Sequence, residues 1–184
     1  EFSFAESENG GAVYNFSDSI RFENCRFSYC SANEDGGAIY SLKGKMEIEN
    51  CKFDQCSADG SGGVIYSEGE KLMVKYSKFS FNRSPCGGVF CIGTCNVENW
   101  IFEENYSRSE GAVISNGSLS ILPSGFHFKN CEFCGNSVNY ELCYSSFAAN
   151  DISLKDCKFS DELFEFSYGV NTTVDNYVIF PSKK

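Results

Sequence analysis

The 184-residue sequence predicts an all-β fold, a right-handed parallel β-helix of about seven coils. Three observations point there. Gly-Gly pairs recur at 10/11, 36/37, 62/63 and 87/88, each followed by small and then branched or aromatic residues (GGAVY, GGAIY, GGVIY, GGVFC), with a degenerate fifth copy, EGAVI, at 110–114. A Phe recurs at Phe2, Phe27, Phe53, Phe79, Phe102, Phe133 and Phe159, at intervals of 25, 26, 26, 23, 31 and 26 residues. Between glycines and Phe runs a segment of alternating apolar and polar residues, as in SIRFENCRF, KMEIENCKF, KLMVKYSKF and ISLKDCKF, and no unit carries a helical period. Period two means strand, and self-similarity at this spacing means a stacked array.

Each part of the unit has a physical reading. Within KMEIENCKF, Met46 and Ile48 share one face, Asn50 breaks the alternation, and Cys51 and Phe53 resume on the inward face. A shift of parity at one residue is a bend. The bend falls at Asn24, Asn50, Asn99, Asn130, Asp156 and Asn176, with Tyr76 the exception. Asn and Asp are the non-glycine residues that best tolerate the left-handed backbone such a bend requires. Three short strands use about the length of one repeat, and the crossover rule makes the coil right-handed. At roughly 4.8 Å per rung the rod is about 34 Å long. The interval of 31 marks an insertion, ISNGSLSILPSG at 114–125, read as a loop leaving the fifth coil. Residues 1–184 therefore read as a single repeat region, an excerpt of a longer chain, since neither end shows a clear cap.

Stacking turns repeat positions into ladders. Phe27, Phe53, Phe79, Phe102, Phe133 and Phe159 are expected as one interior column. Asn24 on Asn50, and Asn99 with Asn130 and Asp156, are expected as amide ladders that satisfy polar groups otherwise buried. Cysteines stack as Cys25 over Cys51, Cys30 over Cys56, and Cys131 over Cys157. One rung keeps parallel Cβ atoms near 4.8 Å apart, beyond the roughly 3.8 Å that a disulfide prefers, which favours stacked buried thiols over bridges between rungs.

Composition narrows the function. A formal net charge of −10, from 15 Lys+Arg against 25 Asp+Glu, argues against nucleic acid or an anionic membrane surface as partner. No apolar run approaches the roughly 20 residues a membrane helix needs. The single histidine, His127, points away from its neighbours Phe126 and Phe128 and lacks a catalytic companion. The acidic pairs Glu34-Asp35, Glu103-Glu104 and Asp161-Glu162 read as solvated loop charge. Cys86, Cys91 and Cys95 lack the paired spacing of a zinc site. No metal and no cofactor is expected. Arg26, Lys52 and Lys78 form a basic column and Glu23 and Glu49 an acidic one, stripes that oppose edge pairing. Asn-x-Ser/Thr triplets at Asn15, Asn82, Asn105, Asn116 and Asn171 are candidate glycosylation sites.

GGA[VI] followed by F-x-x-N, as in Phe79-Ser-Phe-Asn82, Phe102-Glu-Glu-Asn105 and Phe133-Cys-Gly-Asn136, resembles the repeats of the polymorphic outer membrane proteins of chlamydiae and of pectin-lyase-like repeats in protist surface proteins. Cys30 and Cys56 replace the Asn in two copies. The resemblance implies a secreted, extracellular or cell-surface passenger region used for adhesion. The expected function is non-enzymatic adhesion or display, with a cell-surface protein or glycan, or neighbouring copies in an assembly, as partner. Two alternatives stand beside it, a carbohydrate-active enzyme of pectin-lyase-like architecture and a structural stalk or filament segment. The 114–125 insertion is the expected contact region.

Overall fold

The computed structural model describes residues 1–92, 95–111, 113–115, 125–138, 145–148, 151–159, 165–166, 171–176 and 178–179. Among these residues regular structure is entirely β, and each strand pairs in parallel with its counterparts one coil away. Each of the first six coils contributes four strands rather than the three expected. In the second coil they are Arg26–Ser28, Ser31–Ala32, Ile39–Ser41 and Lys45–Glu49, the members of sheets numbered I to IV in that order. The additional strand, Ser31–Ala32, has two residues, too few to display a period of two.

Sheets I to IV hold eight, six, seven and seven strands among the described residues. The first six coils contribute to every sheet; the seventh supplies Lys158–Phe159, Glu165–Phe166 and Asn171–Asp175 to sheets I, III and IV. Among the described residues complete turns are thus slightly fewer than the seven expected.

Three left-handed corners turn the chain in each coil. Between sheets IV and I stand Asn24, Asn50, Tyr76, Asn99, Asn130, Asp156 and Asn176, with φ between 51° and 60°. Between sheets I and II stand Phe4, Tyr29, Gln55, Phe81 and Glu104, at 52° to 57°, and then Gly135 at 63°. Between sheets II and III the first glycine of each pair takes this conformation, as Gly36 does at 68°. The second glycine serves a different need. A Cβ on Gly37 would lie 2.1 Å from the Gly63 carbonyl oxygen and 2.5 Å from that of Ser57, so the next coil passes too close for any side chain.

The interior is a stack of rings. Phe27, Phe53, Phe79, Phe102, Phe133 and Phe159 form one buried column with successive centroid separations of 4.8, 4.6, 5.7, 5.0 and 5.1 Å. The widest gap has a cause. Trp100 replaces the smaller residues Ser77 and Cys51 of the lower coils and brings its indole within 4.5 Å of the Phe79 ring. Facing the column, sheet IV buries Met46 with Ile48, Leu72 with Val74 and Phe126 with Phe128, and sheet III buries Ile39 and Ile65. Each buried Phe contributes about 1.5–3 kcal/mol from area alone, before ring–ring terms. This packed interior leaves function to the outer faces and corners.

Candidate functional site

The predicted Asn ladder is a corner device in water. Asn50 Nδ2 donates to Asn24 Oδ1 at 2.5 Å, Asn130 to Asn99 at 3.3 Å, and Asn176 to Asp156 Oδ1 at 2.6 Å. Asn24, Asn50 and Asn130 are exposed and Asn99 and Asp156 half-buried, so the ladder does not satisfy groups hidden in the core as expected. Tyr76 interrupts it. The reason is parity: the residue that breaks the alternation is the one left facing out.

A second amide ladder does the buried work. Asn82 and Asn105 have no exposed surface. Asn82 Nδ2 donates to Asn105 Oδ1 at 2.9 Å, Asn105 Nδ2 donates to Asn136 Oδ1 at 2.8 Å, and their amides also reach the carbonyls of Phe53 and Phe79. The Asn82 Oδ1 accepts the backbone N–H of Cys56. These side chains satisfy backbone groups just beyond the sheet I–II corner. The F-x-x-N spacing signalled this position, and Cys30 and Cys56 occupy it in the coils below.

That placement removes three of the five candidate glycosylation sites in the folded chain. Asn82 and Asn105 are enclosed, and Asn15, 5% exposed, donates to Ser41 Oγ. Asn171 lies in the strand Asn171–Asp175. Asn116 falls outside the described residues, as does most of the insertion. Its ends are ordered strand. Ile114–Ser115 belongs to sheet III and Gly125 opens Gly125–Lys129 of sheet IV.

Cys25, Cys30, Cys51, Cys56, Cys86, Cys95, Cys131, Cys134 and Cys157 are free thiols. Cys51, Cys30, Cys56, Cys131 and Cys157 are buried, whereas Cys25, in the first coil to carry the column, is only half-buried. The thiols influence one another. Burial pushes Cys51 up to about 11. The hydrogen bond with Cys56 pulls Cys30 down to about 7 and raises Cys56. Burial, then Cys157, raises Cys131. Cys86, Cys91 and Cys95 lie on strands of sheets II, III and IV, and the described residues hold no group of three metal-ligating side chains.

Several charges on the outer faces are paired across neighbouring coils. Arg21 meets Glu23 at 3.1 Å and Glu49 at 3.0 Å, Lys129 meets Glu98 at 2.9 Å, and Lys158 meets Glu132 at 2.9 Å. Of the predicted acidic pairs, Glu103 is held by Lys78. Glu104 folds its carboxylate over Gly135, where a Cβ would meet Oε1 at 2.2 Å. Asp161 and Glu162 lie outside the described residues. His127 is exposed beside Asn96 and Ser153 in a trough of about 320 Å3 on sheet IV, lined also by Lys75, Lys129 and Lys155, of which Lys129 pairs with Glu98 and Lys155 with Asp175.

One surface is not matched in this way. At the corner between sheets I and II, Phe4 is 76% exposed, Tyr29 45% and Phe81 48%. The rings of Phe4 and Tyr29 stack at 4.9 Å with 2° between their planes. All three residues hold left-handed backbone, which costs a bulky side chain about 1–2 kcal/mol. At the same corner Gly135 shows that the turn accepts a residue without that cost. Between Tyr29 and Phe81 the column holds Gln55, and a groove of about 440 Å3 opens there, lined also by Cys56, Ser57 and Arg83. Sequence reasoning missed this row. Its signal was a shared repeat position, two residues after the column Phe, at Phe4, Tyr29 and Phe81.

Fold and surface together define a parallel β-solenoid with a filled core and an exposed aromatic corner. The model of the right-handed beta helix region family matches residues 1–161, and the chain belongs to that family. Comparison with curated proteins and with solved structures returns no match.

Proposed function

We propose that this chain is a non-enzymatic, extracellular β-helical region that adheres to a cell-surface protein or glycan through its outer surface. The observation that carries the reading is the corner at Phe4, Tyr29 and Phe81, where large apolar rings stand in solvent on a backbone conformation that disfavours them. Strain and exposure of this kind persist where function uses them. The resemblance of GGA[VI] and F-x-x-N to surface-protein repeats supports the location, and the ion pairing of Glu98, Glu103 and Glu132 supports binding over acid–base chemistry. Among the described residues no helix is long and apolar enough to cross a membrane.

The test is adhesion of cells and matrix to surfaces coated with the chain, compared with a variant carrying Phe4→Gly, Tyr29→Gly and Phe81→Gly. Adhesion by the parent and its loss in the variant, at unchanged thermal midpoint, is the expected result. Adhesion indifferent to the triple change, or turnover of a polysaccharide by the intact chain, would overturn the proposal.

A further inference from the structure

The groove at Tyr29, Gln55, Phe81 and Arg83 has a chemistry narrower than general stickiness. Tyr29 and Phe81 stand two coils apart, about 9.6 Å along the axis, and Gln55 between them is shorter than either ring. Its amide is already committed: Nε2 donates to Tyr29 Oη at 2.7 Å and to Asp54 Oδ2 at 3.3 Å. Ser57 lies directly opposite Arg83 in the ladder of sheet II. Arg83 is exposed and enters no ion pair among the described residues. The acidic side chains nearby are engaged elsewhere: Asp54 accepts from Gln55 Nε2 and from Ser80 Oγ, and Glu104 lies over Gly135.

Resting on the binding reading above, we infer that this groove is the anchor pocket for a protein segment presenting a carboxylate beside an aromatic or branched aliphatic side chain. The unpaired guanidinium supplies the charge complement, and a bidentate Arg–carboxylate pair is among the stronger charge-assisted contacts. Tyr, Phe and Arg are the residues enriched at the centres of protein interfaces. The volume, about 440 Å3, suits one or two side chains. Among the groove's lining residues Arg83 is the one charge and the rings of Tyr29 and Phe81 the largest apolar surfaces, a pairing that a carboxylate beside an apolar side chain matches more fully than the hydroxyls of a neutral glycan.

The experiment is a titration of isotope-labelled full chain with acetyl-Phe-Asp-Phe-amide, following the backbone amides of Ser57 and Arg83 by NMR. Saturable shifts at both are expected, with affinity about tenfold lower for acetyl-Phe-Asn-Phe-amide and for Arg83→Gln, since each removes the charged hydrogen bonds. Phe81→Ala should abolish the shifts while the thermal midpoint holds. Equal binding of the two peptides, shifts confined to other sheets, or tighter occupation of the groove by a uronic acid disaccharide would each overturn the inference. Absence of peptide binding in a chain whose adhesion depends on the corner sinks the choice of partner alone. Absence of adhesion sinks the reading beneath it.

Discussion

Asn82 Nδ2 donates to Asn105 Oδ1 at 2.9 Å, and neither residue has any exposed surface. The two are 23 residues apart in sequence and one coil apart in space. Replacing Asn105 by Ala removes the acceptor of the Asn82 backbone N–H, one of the two acceptors of Asn82 Nδ2 and one donor to the Phe79 carbonyl, all in the interior. The expected cost is about 1–3 kcal/mol for each group left without a partner. Asn50→Ala loses an exposed contact and a tolerant left-handed residue, about 1 kcal/mol. Urea midpoints of the two variants measure the difference, and coincident midpoints would contradict the assignment of the buried ladder.

The same enclosure fixes which triplets carry sugar. Glycopeptide mapping of chain secreted from a glycosylating host should find Asn82 and Asn105 unoccupied in the folded fraction. A glycan at either, in material that retains its β circular dichroism, would show that the corner opens.

Gly37→Ala and Gly125→Ala separate close approach from ordinary contact. A Cβ at 37 meets backbone oxygens at 2.1 and 2.5 Å that cannot move without displacing a coil, whereas at 125 the nearest atom is His127 Nε2 at 3.4 Å. The first should cost more than about 4 kcal/mol, among the large effects of single substitutions. The second should fall within about 0.5 kcal/mol of the parent. Thermal denaturation of both decides it.

Phe53→Ala and Phe81→Gly should move stability in opposite directions. The first empties a place in the interior column and costs about 3–5 kcal/mol. The second removes a half-exposed ring from a left-handed corner and relieves about 1 kcal/mol of backbone cost. A Phe81→Gly chain as destabilised as Phe53→Ala would mean that the corner ring supports the fold.

Thiol accessibility gives a further check. A thiol pulled to about 7, as Cys30 is, would ordinarily alkylate readily near neutral pH. Cys30 has no exposed surface, so burial should override its acidity. Intact mass after iodoacetamide should show Cys30, Cys51, Cys56, Cys131 and Cys157 modified only once the chain is unfolded, and Cys25, half-buried, modified first. Masses lower by two hydrogens per pair before treatment, mapped to adjacent rungs, would instead reveal bridges.

The sequence by itself determined the coil, the glycine and Asn corners and the inward Phe column, because each recurs at a fixed place in a repeating unit and stacking multiplies that local preference. Parity alone sends Phe53 inward beside Cys51. Only the tertiary structure decided the fourth strand, the exposure of Asn24 and Asn50, the burial of Asn82 and Asn105, and the groove at Tyr29, Phe81 and Arg83. A two-residue strand carries no period, and whether an Asn faces water depends on which side of a corner the next coil covers. Within a single repeat the groove has no signature, and only comparison of the same position from coil to coil marks its rings. It exists because winding sets Gln55 between two rings that lie 26 residues to either side of it, with Arg83, which enters no ion pair among the described residues, in its lining.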